Sequence, residues 1–253
     1  MRKVSLKQTE SCAKHIKVVV FDLGGTLMTY RGLHLNSYGY YKNAFEHVNT
    51  SLSLGLSTAQ IEAAVKVLKD YNPHINPREI EVPAEKIFSE AIAGWNTDIP
   101  LEEIISAFFD SLNLAPYFFP KSIPALEKLR AEGYKIAAFT DVANAMPDSL
   151  HKEFVEPLLP YFDFYVSSVS CGYRKPNPKG LCEIAEFFHV SPDEMIMVGD
   201  TENDIKAAQN FGCISVLIRE YQPKLNSNLA IGQDYTAEDV SQFASVLIHA
   251  KQS

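Results

Sequence analysis

No run in the chain approaches the roughly 20 consecutive apolar residues that a membrane span needs, so no membrane partner is expected. Basic residues are also short: 23 Lys and Arg stand against 31 Asp and Glu, a formal net charge of −8. Phosphate backbones require clustered Lys and Arg, and this balance argues against nucleic acid as a partner. Cysteine is sparse. Cys12, Cys171, Cys182 and Cys213 show no C-x-x-C spacing, and the seven histidines form no H-x-H or H-x-x-x-H pair. A zinc site is therefore not expected, and free thiols in a reducing cytoplasm are. Nucleotide and dinucleotide fingerprints are missing too, so no organic cofactor is implied. Met1 to His15 is polar and mildly basic and lacks the apolar stretch of a secretory signal. Residues 1–15 read as a tail, loose or docked as a helix.

What the chain does have is enough apolar residue, 46% of 253, for one large core or a core with a smaller companion. Four stretches share one design. Val18-Val19-Val20-Phe21 is a continuous apolar run, three of its residues β-branched, and reads as a strand buried on both faces. Asp22 follows, then Gly24-Gly25, where a strand does not comfortably continue. Residues 134–139 make a second strand ending in Thr140-Asp141. A third, near 164–168, is followed by Gly172-Tyr173-Arg174-Lys175-Pro176. The fourth, 195–198, ends in Gly199-Asp200-Thr201-Glu202-Asn203-Asp204. In open parallel sheets ligands bind outside the carboxyl ends of the strands, so these polar residues belong to one rim.

Between the first and second of these strands the pattern is helical. Tyr38, Tyr41, Phe45 and Val48 share a face. Ser57 and Gln60 can form a capping box before Ile61, Ala64, Val65 and Leu68. Ile87, Ala91 and Trp95 make a third stripe. Pro100 with Glu102 and Glu103 opens a fourth helix, whose face is Leu101, Ile104, Ile105, Phe108, Phe109 and Leu112. Residues 28–36 and 113–121 read as linkers on either side. After Ser122 helix and strand alternate. Residues 214–218 are expected as the last strand, 221–233 as turn-rich chain, and Thr236 as the cap of a closing helix. This alternation predicts an α/β fold, a doubly wound parallel-sheet (Rossmann-like) core over 16–30 and 116–253 with an inserted α-helical cap over 31–115.

The four motifs, in this order over roughly residues 16–220, resemble the haloacid dehalogenase-like superfamily, most of whose members are magnesium-dependent phosphatases. The resemblance implies a nucleophile at Asp22, which would attack phosphorus and form an aspartyl-phosphate. It implies Mg²⁺ held by Asp22, the carbonyl of Gly24 and Asp200, with Asp204 in support. Lys175 would neutralise a phosphate oxygen and Thr140 would hydrogen-bond another. Backbone N–H groups around Gly24, Gly25 and Asp141 could cradle the rest, and Thr26 belongs to the same loop. Substrate choice falls to the cap, where Arg31, His34, Tyr38, Tyr41, Lys42 and Trp95-Asn96 are candidates. Arg31 is the preferred one, because an anionic substrate needs a cation beyond Lys175. The expected partner is a small phosphorylated metabolite, handled by a monomer or homodimer.

One position departs from the superfamily pattern. Its phosphatases usually carry a second Asp two residues after the nucleophile, which protonates the leaving alcohol and then deprotonates the attacking water. Here that residue is Gly24. Three readings stay open. The first is a phosphatase acting on acyl, aryl or anomeric sugar phosphates, or drawing the proton from a cap residue or Glu202. The second is a dehalogenase, which lacks the second Asp but needs no metal. The third is a degenerate member that binds a phospho-ligand or a protein.

Overall fold

The computed structural model describes residues 14–31, 39–220 and 232–252. His34, Tyr38, most of the tail, part of the first linker and most of 221–233 lie outside the described residues. In chain order, β1 (Val18–Phe21) and β2 (Met28–Arg31) precede α1 (Tyr41–Ser51), α2 (Thr58–Asp70), α3 (Ala84–Ala91) and α4 (Leu101–Asp110). Next come β3 (Ala115–Phe118), α5 (Ser122–Ala131), β4 (Lys135–Thr140) and α6 (Asp148–Val155). A 3₁₀ segment, Glu156–Tyr161, leads to β5 (Phe164–Ser167), α7 (Ser168–Cys171) and α8 (Lys179–Phe188). The chain then runs through β6 (Met195–Gly199), α9 (Glu202–Phe211), β7 (Ile214–Ile218), β8 (Tyr235–Ala237) and α10 (Val240–Gln252). Among the described residues, no helix is long and apolar enough to cross a membrane.

Six strands form a sheet in the order β5-β4-β1-β6-β7-β8, every neighbouring pair parallel. This is the expected Rossmann-like α/β core, with β1 central because its apolar run can be covered on both faces. Side chains alternate between the faces. Val18 and Val20 join Ala137, Phe139, Met195 and Met197 against Leu181 and Ile184 of α8 and Ala207 and Ala208 of α9. On the opposite face Phe21 meets Phe243 of α10 edge-on, ring centroids 6.1 Å apart.

The described chain divides into two compact units. One takes the residues up to Thr29, Phe118–Asp141 and those from Val155 on; the other takes Tyr30–Tyr117 and Val142–Phe154. The domain boundaries expected from the sequence put Val142–Phe154 with the core, and it groups with the helical unit. Asn144 accounts for its grouping: its amide donates to Tyr41 Oη at 3.2 Å and to the Leu68 carbonyl at 3.1 Å. Asn72 donates to the same Tyr41 hydroxyl at 2.8 Å. Within this unit the four helix stripes converge on aromatics: Phe45, Phe88, Trp95, Phe108 and Phe109 make edge contacts with one another. The capping box at Ser57 and Gln60 is present.

Three sequence expectations need correction. The residues read as linkers include β2 and β3, which pair as a two-stranded sheet. Each is four residues long and only half-buried, too short for a period to show. Residues 214–218 are not the last strand, because β8 pairs parallel with β7. Ser215 donates its N–H and its hydroxyl to Asp234 Oδ2, at 2.9 and 2.8 Å, and so ties the start of β8 to β7. Thr236 therefore lies in a strand and caps nothing; Asp239 accepts from the Gln242 N–H at 2.8 Å at the start of α10.

Candidate active site

The loop after β1 turns sharply because three donors converge on the Leu23 carbonyl: the N–H groups of Thr26, Leu27 and Met28, at 3.3, 2.8 and 3.0 Å. The N–H of Gly25, expected to cradle phosphate, donates instead to the Met28 carbonyl at 2.7 Å. Gly25 serves sterically. Its φ is +87°, and a Cβ there would collide with the Asp200 carboxylate. A Cβ on Gly24 would meet no atom of the described residues within 4 Å.

Asp22 stands at the carboxyl end of β1, its N–H bonded to the Val198 carbonyl of β6 at 2.9 Å. This anchors the ends of two neighbouring strands, so Asp22 and Asp200 face each other across one bond of the sheet. Thr26 lies between them, its hydroxyl 3.4 Å from Asp22 Oδ2 and 3.2 Å from Asp200 Oδ1. Oxygens of Asp22, Asp200 and Asp204 lie within 4.8 Å of one another, and all three residues are buried. Carboxylate oxygens at this spacing suit a hard divalent cation, and Mg²⁺ takes one or two such ligands plus water and substrate oxygens. The donor set therefore fits the expected ion.

Lys175 reaches two carboxylates of this cluster. Its ammonium donates to Asp22 Oδ1 at 2.6 Å, to Asp204 Oδ1 at 2.5 Å and to the Phe139 carbonyl at 3.1 Å. All three donors of the ammonium are used. Burial opposes the charge on Lys175, but Asp204 and Asp22 outweigh it and hold the pKa above the ordinary lysine value. Burial pushes the Asp22 carboxyl well above the usual carboxylate range, and the Lys175 charge works against that push. Asp141 is raised by burial and lowered by Arg174 and Lys175. Its carboxylate accepts from the Lys175 N–H at 3.1 Å, so its side chain, not only its backbone, shapes the lysine loop.

Asp204 is held by the helix it begins. Its Oδ2 accepts from the Thr201 N–H at 2.9 Å and the Thr201 hydroxyl at 2.6 Å, and Thr201 caps α9 in return. A Cβ on Gly199 would strike the Asp204 side chain, which explains glycine there. Thr140 is buried at the end of β4, paired in register with Ser167. Arg31 belongs to the other unit, its guanidinium 4.0 Å from the centre of the Tyr117 ring. Two contributors escape sequence reading. Thr201 is detectable, since Thr-x-x-Asp before a helix is a capping-box pattern. The Phe139 carbonyl carries no local signal.

A family model for haloacid dehalogenase-like hydrolase matches residues 16–212. A phosphoglycolate phosphatase of Nitrosospira multiformis is 37% identical over 94 residues, which cover 37% of this chain and 40% of that protein. Another, of Thiobacillus denitrificans, is 26% identical over 211 residues, covering 78% of this chain and 81% of that protein. The chain thus aligns with less than half of the first of these and most of the second. The crystal structure of a HAD phosphatase from Thermococcus onnurineus shares the fold, with TM-score 0.62 and 23% identity over 92% of this chain and 98% of that one. On a family match that spans most of its length, the chain belongs to the haloacid dehalogenase-like hydrolases.

Proposed function

We propose that this hydrolase is a magnesium-dependent phosphatase of small phosphorylated metabolites, working through an aspartyl-phosphate on Asp22. The observation that supports it is the convergence of Asp22, Asp200 and Asp204 oxygens with the Lys175 ammonium in one buried cluster. Asp22, the Gly24 carbonyl and Asp200 would hold Mg²⁺, which when bound supplies charge neutralisation at the transferred phosphoryl group. Asp22 Oδ2 is the oxygen that Lys175 leaves free, and it attacks phosphorus. Lys175 keeps Asp22 anionic and offers a cation to a phosphoryl oxygen once substrate competes for its donors. Thr140 donates to another phosphoryl oxygen. Asp204 acts through Lys175, since its two oxygens are committed to that ammonium and to Thr201. Arg31 is the second cation assigned to the substrate, on chemical grounds alone. The named relatives make phosphoglycolate a natural first metabolite to assay.

The test is hydrolysis of p-nitrophenyl phosphate and acetyl phosphate with and without Mg²⁺, beside Asp22→Asn. Turnover that requires Mg²⁺ and vanishes in the variant is expected. A metal-independent activity that survives EDTA and releases halide from haloacids would replace this reading with dehalogenation.

A further inference from the structure

Two adjacent glycines follow the nucleophile, and only one of them is required by the fold. Gly25 must be glycine, because its φ is +87° and a Cβ would overlap Asp200. Gly24 need not be. Its backbone lies outside the left-handed region, and a Cβ would meet no atom of the described residues within 4 Å. The missing side chain at 24 is therefore a chemical feature of the site, and not a steric one.

The consequence appears when proton donors are counted in the core unit. A phosphate ester expels an alkoxide, a strong base, unless something protonates the leaving oxygen; a positioned acid supplies about 10²–10⁴-fold. Asp141 accepts from the Lys175 N–H. Asp204 is held by Lys175 and Thr201. Each hydrogen of the Lys175 ammonium already has an acceptor. Glu202, the nearest acid along the chain to Asp200, is exposed and pairs with Lys206 at 2.7 Å, one turn along α9. Among the described residues of this unit, none of these acids and cations stands ready to hand a proton to a leaving oxygen.

We infer that the substrates of this site carry a leaving group that departs without a proton: acyl or aryl phosphates, and not simple alkyl phosphate esters. The inference rests on the phosphatase reading and narrows it. In the first step an Asp22 oxygen forms a bond to phosphorus, and the bond from phosphorus to the leaving oxygen breaks. The electron pair leaves with that oxygen as a carboxylate or another weakly basic anion. In the second step water attacks the aspartyl-phosphate, the bond from phosphorus to Asp22 breaks, and the water proton passes to the departing phosphate or to solvent.

The experiment compares kcat/KM for acetyl phosphate, p-nitrophenyl phosphate and phosphoglycolate, an alkyl ester, in the unmodified protein and in Gly24→Asp. This ratio reports steps up to leaving-group departure, so slow hydrolysis of a shared intermediate does not mask the comparison. The expected result is acyl and aryl phosphates favoured over phosphoglycolate by about 100-fold or more, the scale of the missing acid. Gly24→Asp should raise kcat/KM for phosphoglycolate relative to acetyl phosphate by about 10²–10⁴-fold. Comparable values for all three substrates in the unmodified protein would overturn the inference while leaving the phosphatase reading intact. No turnover of any of them would overturn the phosphatase reading itself, and the inference with it. The substrate series on the unmodified protein decides the matter even if Gly24→Asp does not fold.

Discussion

His151, on α6, is buried with its Nε2 lacking a hydrogen-bond partner among the described residues. Burial pushes its pKa down from 6.5 to about 4, with only partial opposition from Asp148. The unfolded chain binds a proton at His151 below about pH 6.5 and the folded chain does not until about pH 4. Stability tied to this residue is therefore complete above pH 6.5 and falls as pH drops through that window. The loss should be about 2 kcal/mol between pH 7 and pH 5. Urea unfolding of the protein and of His151→Gln at both pH values checks this; an equal pH dependence in the two would rule it out. The glycine pair gives a second prediction at this scale. Gly25→Ala should destabilise by about 1–2 kcal/mol from its left-handed backbone alone, and more from the overlap with Asp200. Gly24→Ala should leave the melting temperature nearly unchanged, because none of the described residues stands in the way of its methyl group. Thermal melts of the two variants side by side would show the contrast.

Among the elements, α4 supplies Phe108, whose ring touches those of Tyr41, Phe45, Phe88 and Phe109. Phe108→Ala should cost about 3–5 kcal/mol in denaturant unfolding, as buried Phe truncations do. A loss under 1 kcal/mol would mean that this aromatic cluster is not what stabilises the unit. The same helix shows why much of the fold was legible. Ile104, Ile105, Phe108 and Phe109 recur at helical spacing, and the helix occurs within two residues of its expected start. β1, β6 and β7 were legible for a different reason: strands covered on both faces read as unbroken apolar runs. β2, β3 and β8 were not, because each is three or four residues long and exists through pairing with a distant segment. The candidate site divides in the same way. Asp22, Asp200 and Lys175 stood out because each follows a readable strand or loop motif. The commitment of the Gly25 N–H to the Met28 carbonyl, and of the Lys175 ammonium to the Phe139 carbonyl, depends on how the chain closes in space, which no local pattern records.

For the whole molecule, the buried cluster is a charge imbalance as well as a site. Asp22, Asp200 and Asp204 bring up to three negative charges within 4.8 Å of one another, and Lys175 returns one positive charge. Like charges at that range repel strongly away from bulk water: burial pushes the Asp22 carboxyl upward, and the charges of Asp204 and Asp200 push it further in the same direction. A divalent cation bound only by the folded state offsets the excess, so its binding free energy adds to folding stability. At about 100 times its Kd, Mg²⁺ should stabilise the protein by about 2.7 kcal/mol, and EDTA should remove that increment. Asp200→Asn weakens the donor set and also relieves repulsion. The variant should therefore melt at or above the temperature of the metal-free protein, and its melting temperature should respond little to Mg²⁺. Thermal melts of both proteins across a Mg²⁺ titration measure this without any assay of activity. A melting temperature of the unmodified protein that does not move with Mg²⁺ would remove the metal from the account. A variant that still gains the full increment would place the ion away from Asp200. The expected pattern, a shift in one protein and none in the other, would tie the stability of the fold to the same carboxylates that the chemistry requires.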